Sequence, residues 1–214
     1  MTDSIIIESL TVGPIQTNVY VVGCPKTRSG AIVDAGGNAA GLLELAERHE
    51  LTIEKILQTH AHIDHVAAIP QVRAEIDAPI YLHPADDQLW QMAPQQGQMF
   101  GIKVDPLPDY DHELADGDTI EIGELEAEVM LLPGHSPGSV AFYFADHAVV
   151  ISGDVLFAGS IGRVDLPGSD RNAMKTSLER IATLPDDTRV LSGHGPETSI
   201  GREKQVNPFL KQNW

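Results

Sequence analysis

Residues 59–66 read THAHIDHV, and the rest of the chain is best understood outward from them. His60, His62, Asp64 and His65 fall within six positions of a chain that has nine histidines in all. The run before them, IEKILQTH (53–60), is rich in β-branched residues and predicts a strand ending at His60. The run after them, VAAIPQVRAEI (66–76), has helical spacing, with Pro70 as an interruption or boundary. Two residues apart at a strand end, His60 and His62 can face the same side. Asp64 suits a helix N-terminus. A tight turn there aims all four side chains into one space, and imidazole nitrogen and carboxylate oxygen are both good ligands for a metal such as zinc.

One tetrahedral ion does not use four donors from so short a turn, because their directions diverge. The spacing predicts two ions side by side, each with further ligands from elsewhere. Three candidates stand in matching contexts: His135 in LLPGHSPGS, Asp154 in VISGDVLF and His194 in VLSGHGPE. Each follows an apolar run and a glycine, so each projects from a strand end at one edge of the fold. Seven donors suit two metals with three terminal ligands each and one shared carboxylate. Two metals about 3.5–4 Å apart can also share a hydroxide, a strong nucleophile at neutral pH. His49, His83, His112 and His147 have no such company and are expected in ordinary structural or surface roles.

Strand-like runs also occupy IIIESLTVG, NVYVVGC and GAIVDAGG near the start, followed by an amphipathic helix over AAGLLELAERHE (39–50). APIYLH reads as a short strand, and PADDQLWQMA as a helix with Pro84 in its first turn. Residues 92–117 read as a long surface loop of the kind that often carries function. From 118 the pattern is strands (DTIEIG, LEAEVMLLPG, SVAFYFA, HAVVISGDV), a helix over 171–183, a last strand TRVLSG and a helical turn at GREKQV. NPF at 207–209 is expected to pack the chain end down. No repeat or linker breaks the pattern, so a single domain over 1–214 is expected, with two sheets and helices packed outside.

The 214 residues carry 31 acidic and 14 basic side chains, a formal charge of −17. That field repels phosphate backbones and anionic lipid, so neither nucleic acid nor a membrane is an expected partner. The single cysteine, Cys24, permits no intrachain disulfide and is expected as a buried structural thiol. The start MTDSIIIESL lacks a signal peptide's basic region and apolar core, so a cytoplasmic location is the expectation, as a monomer or small homo-oligomer.

The H-x-H-x-D-H segment after a strand, followed by a distant His, Asp and His, resembles the metallo-β-lactamase superfamily, and the likeness runs over nearly the whole chain. AIVDAGG resembles that fold's early strand, in which an aspartate at the place of Asp34 supports the metal loop. The resemblance implies an α/β fold, the αββα sandwich of two mixed sheets flanked by helices, with metals at one edge. It also implies that His60, His62 and His135 hold one metal, that Asp64, His65 and His194 hold the other, and that Asp154 bridges them. A bridging aspartate is a feature of the glyoxalase II branch and is absent from true class B β-lactamases.

PGHSPGSVAFY, GDVLFAGSIGRVDLPGSD and the ending GHGPETSIGREKQVNPFL look most like glyoxalase II and its short single-domain relatives. That implies a binuclear hydrolase, with zinc, iron or manganese, cleaving small-molecule thioesters of the hydroxyacylglutathione type through a metal-bridging hydroxide. Asp64 is the candidate proton acceptor. Arg163, in the segment after Asp154, is the candidate for a substrate carboxylate, with an Arg163–Asp165 ion pair as the other reading; Arg202 and Lys204 are weaker candidates. Only twenty residues follow His194, so the helical domain of longer glyoxalases II is not expected, and Ser139 stands where those enzymes often have a second histidine. Two rivals share the motif: a mononuclear iron persulfide dioxygenase, whose loop GRVD also resembles, and a lactonase.

Overall fold

Strand propensity and turn residues build two six-stranded mixed sheets in this computed structural model, which describes residues 4–102 and 104–211. The first sheet runs in the order β1 (Ile6–Val12), β2 (Thr17–Gly23), β3 (Ser29–Val33), β4 (Thr52–Leu57), β5 (Ile80–Leu82) and β6 (His112–Glu113). The second contains β7 (Thr119–Ile122), β8 (Leu125–Leu131), β9 (Val140–Phe144) and β10 (Val149–Gly153). Beyond the short hairpin β11 (Leu156–Phe157) and β12 (Ser160–Ile161), it is completed by β13 (Arg189–Ser192) and β14 (Thr198–Ser199). Its spatial order is β14-β13-β10-β9-β8-β7. The pairs β3–β4 and β10–β13 are parallel, so their carboxyl ends lie together, where loops after parallel strands form ligand crevices.

Three apolar layers define the sandwich. Val22, Val33 and Leu57 of the first sheet meet Val129, Phe142 and Ile151 of the second in the central layer, which also buries Cys24. The other face of the first sheet, through Val21, Ile32 and Ile56, packs under α1 (Ala39–Arg48), α2 (Ile63–Val66) and α3 (Ile69–Glu75). The second sheet's outer face packs on Met174, Leu178 and Ile181 of α6 (Arg171–Ile181), after α4 (Asp87–Gln91) and α5 (Ala93–Phe100) on the other side. Ile200 of α7 (Ile200–Val206) joins that layer, and α8 (Pro208–Lys211) follows it. The layers are therefore helix, sheet, sheet, helix. No helix among the described residues is long and apolar enough to cross a membrane.

Pro70 marks a boundary as expected: it opens α3 and separates it from α2. The stretch 92–117 departs from the expected loop, because residues 93–100 form α5 and His112–Glu113 pair with β5. Gly97 has low helix propensity but serves close packing here. A Cβ at that position would come within 2.5 Å of the Ile102 carbonyl oxygen, and the Ile102 amide donates back to the Gly97 carbonyl. The strand before the histidines stops at Leu57, so Gln58–His60 already belong to the turn. The predicted helix at 84–93 is a 3₁₀ turn, Pro84–Asp86, leading into α4.

Candidate metal centre

Chain turns at the ends of five strands bring the donors to one edge. Asp34 follows β3, His60 to His65 follow β4, His135 follows β8, Asp154 follows β10 and His194 follows β13. An isolated bridge between Thr17 and His194 ties the two sheets together at this edge, and the Asn18 amide donates to the Gly193 carbonyl at 2.7 Å. Close packing demands a glycine before His194: a Cβ on Gly193 would collide with Asp154 Oδ1.

All seven predicted residues meet there. Three sets of donor atoms each fall within 4.8 Å: His60, His62 and His135; Asp64, His65 and His194; and His60, His65 and Asp154. Asp154 stands between the first two sets. Its Oδ1 lies 3.4 Å from His65 Nε2, and its Oδ2 lies 3.4 Å from both His135 Nε2 and His194 Nε2. On the far side, Asp64 Oδ2 is 3.3 Å from His194 Nε2 and 3.6 Å from His65 Nε2.

Outer partners set the tautomers. Thr59 donates its only hydroxyl proton to Asp34 Oδ2 at 2.7 Å, so at 3.0 Å it accepts from His60 Nδ1. Asp34 Oδ2 also accepts from His65 Nδ1 at 2.9 Å, the Arg163 carbonyl from His135 Nδ1 at 2.9 Å, and the Gln16 carbonyl from His194 Nδ1 at 3.3 Å. Those four rings therefore turn Nε2 inward. His62 is different: its Nδ1 faces His135 Nε2, at 2.8 Å. Fixing one ring nitrogen so that the other is free to ligate is the usual role of such outer partners.

The electrostatics of the cluster demand positive charge. Burial, reinforced by its histidine neighbours, lowers His60 and pulls His62 down to about 3. Burial also opposes a proton on His65, yet Asp64, Asp154 and Asp34 overcome it and raise that ring well above its ordinary value. His194 likewise resists burial and rises to about 10 through its bonds to Asp154 and Asp64. Asp64 and Asp154 stay below the usual carboxylate range despite burial, chiefly through His65. Three carboxylates thus compete for cations in one small volume. His60 Nε2, His65 Nε2 and Asp154 Oδ1 are buried without a hydrogen-bond partner, at a cost of about 1–3 kcal/mol each if nothing answers them. Nitrogen and oxygen lone pairs converging on unpartnered atoms fit divalent metal ions.

Supporting residues not singled out in the sequence complete the site. Asp86 is fully buried, and its carboxylate accepts from the Ala61 amide (2.9 Å), the Gly138 amide (2.6 Å) and Ser136 Oγ (2.8 Å). One side chain therefore clamps the turn carrying His60 and His62 to the loop carrying His135. Its only sequence signal was an aspartate in PADD, read there as helix start. On the other side Thr17 Oγ1 donates to Asp64 Oδ2 at 2.8 Å, while Asn18 and Tyr20 donate to the Ser192 carbonyl before His194.

The basic candidates Arg163, Arg202 and Lys204 are each paired with an acid. Arg163 contributes its carbonyl to His135, while its guanidinium, 63% exposed, pairs with both oxygens of Asp165. Arg202 pairs with Glu203, and Lys204 with Asp186. His49 pairs with Glu8, and His83 accepts from the Ala85 amide in the 3₁₀ turn; neither belongs to the cluster.

The family model of the metallo-beta-lactamase superfamily matches residues 12–194, from the end of β1 to the last histidine of the cluster. The chain belongs to that superfamily. Metallo-β-lactamase-like relatives match it end to end. The probable metallo-hydrolase YqgX of Bacillus subtilis is 42% identical over 94% of this chain and 95% of its own. The hydroxyacylglutathione hydrolase GloC of Haemophilus influenzae is 35% identical over 95% and 97%. Among solved structures, TTHA1623 in a di-iron-bound form superposes with TM-score 0.88 at 42% identity, covering 95% of this chain and all of that one. BLEG-1, a B3 metallo-β-lactamase, gives 0.89 at 40%, over 97% and 100%. ETHE1 of Myxococcus xanthus gives 0.80 at 26%, over 97% and 86%.

Proposed function

We propose that this protein is a binuclear metal-dependent hydrolase of thioesters, of the glyoxalase II type. The observation that carries the reading is Asp154: one carboxylate reaches donors of both three-residue groups, with an oxygen 3.4 Å from His65 and the other 3.4 Å from His135 and His194. His60 Nε2, His62 Nδ1 and His135 Nε2 would hold one ion, and Asp64, His65 and His194 the other, with Asp154 shared. Zinc suits the nitrogen and oxygen donors, while the di-iron relative supports iron; manganese is the third choice. Two such ions supply Lewis acidity and a nucleophile available at neutral pH.

The reaction adds water to the thioester carbonyl carbon, breaks the C–S bond and releases a carboxylic acid and a thiol. A thiol leaves as a thiolate of pKa about 8.5, so no strong acid is required. That suits a cluster in which His60, His65, His135 and His194 are each committed by an outer bond. Asp64 accepts from Thr17 through Oδ2, which leaves Oδ1 as the candidate acceptor for the proton released as water attacks. Arg163, released from Asp165, is the cation nearest in sequence to Asp154 for a charged thiol arm. The GloC relative supports a hydroxyacylglutathione-like substrate. BLEG-1 favours a second reading, hydrolysis of a lactam at the same metals, and ETHE1 supports the persulfide dioxygenase as a third.

The test is metal content per chain together with a substrate panel. About two ions per chain and turnover of S-lactoylglutathione or simple acyl thioesters is the expected result. One iron per chain with oxygen uptake on glutathione persulfide would replace it with the dioxygenase. Turnover of nitrocefin but no thioester would replace it with the lactamase.

A further inference from the structure

A cavity of about 360 Å³ opens beside the second donor group. Asp64 and Thr17, joined by their 2.8 Å hydrogen bond, form part of its wall. Most of the remainder is apolar: Val12, Pro14 and Ile15 from the β1–β2 turn, Ala39 at the start of α1, Ala67 after α2, and Ile102 after α5. The polar side chains Asn38 and Gln71 also border it. Asn38 is spent capping α1 at Gly41, and Gln71, with its amide turned, donates to the carbonyls of Ala67 and Ala68. No lysine, arginine or histidine lines it among the described residues.

We propose that this cavity receives the acyl arm of the substrate and selects an uncharged, aliphatic acyl group. The proposal rests on the thioesterase reading given above. The physical argument is one of exclusion and size. An anionic arm placed there would find no lysine or arginine among the wall's described residues, inside a protein of charge −17. An alkyl chain instead exchanges water for the side chains of Val12, Ile15 and Ile102. The volume lies at the small end of ligand pockets and suits a chain of a few carbons. The arrangement also assigns the two arms of a thioester to different ends of the site. The acyl arm lies on the Asp64 side, and the thiol arm lies on the side where the Arg163 carbonyl meets His135.

The test uses the metal-loaded protein and a series of acyl N-acetylcysteamine thioesters from acetyl to octanoyl, whose thiol arm is neutral and constant. The expected result is a rise in kcat/KM of roughly fourfold per methylene, ending where the cavity is full. Ala39→Leu, which narrows the wall from a helix position that tolerates leucine, moves that end to shorter chains. Ile102→Ala flattens the slope. A flat profile, or one that neither substitution changes, overturns the proposal. Binding of the uncleavable S-alkyl N-acetylcysteamine thioethers, read by calorimetry over the same chain lengths, separates the two failures. No turnover of any thioester with chain-length-dependent thioether binding sinks the thioesterase reading and keeps the cavity. Thioester turnover without chain-length dependence in either measurement does the reverse.

Discussion

The two three-residue donor groups share one edge of the sandwich yet are built on different principles. His60, His62 and His135 form an all-imidazole group with two members buried, locked from behind by the Asp86 carboxylate. Asp64, His65 and His194 include a carboxylate and reach outward, with Asp64 15% and His194 21% exposed, held by the hydroxyl of Thr17 and the β2 amides. Asp34 links them through Thr59, which supports His60, and through His65. The inner group is thus all imidazole and clamped from behind, whereas the outer one carries a carboxylate, Asp64, that also borders the cavity. Position and composition divide the donors into an enclosed all-imidazole group and a partly exposed one that carries a carboxylate.

The largest test of that division removes the residue common to both halves. Asp154→Ala should cost more than the roughly 100-fold typical of losing an outer-sphere partner, and metal analysis should read fewer than two ions per chain. Two ions with near-normal activity would dissolve the idea of a shared carboxylate. Stripping both ions with a chelator comes next. A ligand at a thousand times its Kd stabilises by about 4 kcal/mol, which for a chain of this size is a fall in Tm of about 8–16 °C; calorimetry before and after chelation measures it.

Asp86→Asn and Asp34→Asn then sharpen the comparison between halves. Asp86→Asn places an NH₂ against donors that need an acceptor. It should weaken the inner ion about 10–100-fold and leave the outer one nearly as before. Asp34→Asn should weaken the outer ion comparably, because it loosens His65, with a smaller effect on the inner ion through Thr59. Site-resolved titration with cobalt, followed by its visible spectrum, reads both. Equal losses at both ions in both variants would mean that the halves are one unit. The smallest effect belongs to Thr17→Val, which deletes one hydrogen bond to Asp64 and should lower kcat/KM by about 3–10-fold, in line with a net bond of about 1 kcal/mol.

Much of the site was legible in the linear chain because its donors sit where strands end. A strand end followed by glycine and a histidine or aspartate is a local pattern, and His135, Asp154 and His194 all stand in it, while His60 follows its strand through Gln58 and Thr59. The Asp86 clamp was not legible. Its partners Ala61, Ser136 and Gly138 are 25 to 52 residues away, and a backbone amide as partner leaves no mark on the sequence. Helix α5 was missed for a related reason. Gly97 and Pro94 lower helix propensity, and what offsets them is tertiary: Gln96 spans from its own helix to the Ala61 carbonyl and the Ile63 amide of the metal turn.

By itself, then, the order of residues determined the strand and helix periods, the seven donors and the family to which they belong. Those signals depend on neighbours along the chain, on side-chain type and on spacing. Only the packing of one sheet on the other decided which nitrogen each ring turns inward and that the Arg163 carbonyl serves His135. These outcomes depend on distances between segments more than a hundred residues apart, such as Thr17 and His194. Such distances exist only once the apolar faces have closed on each other.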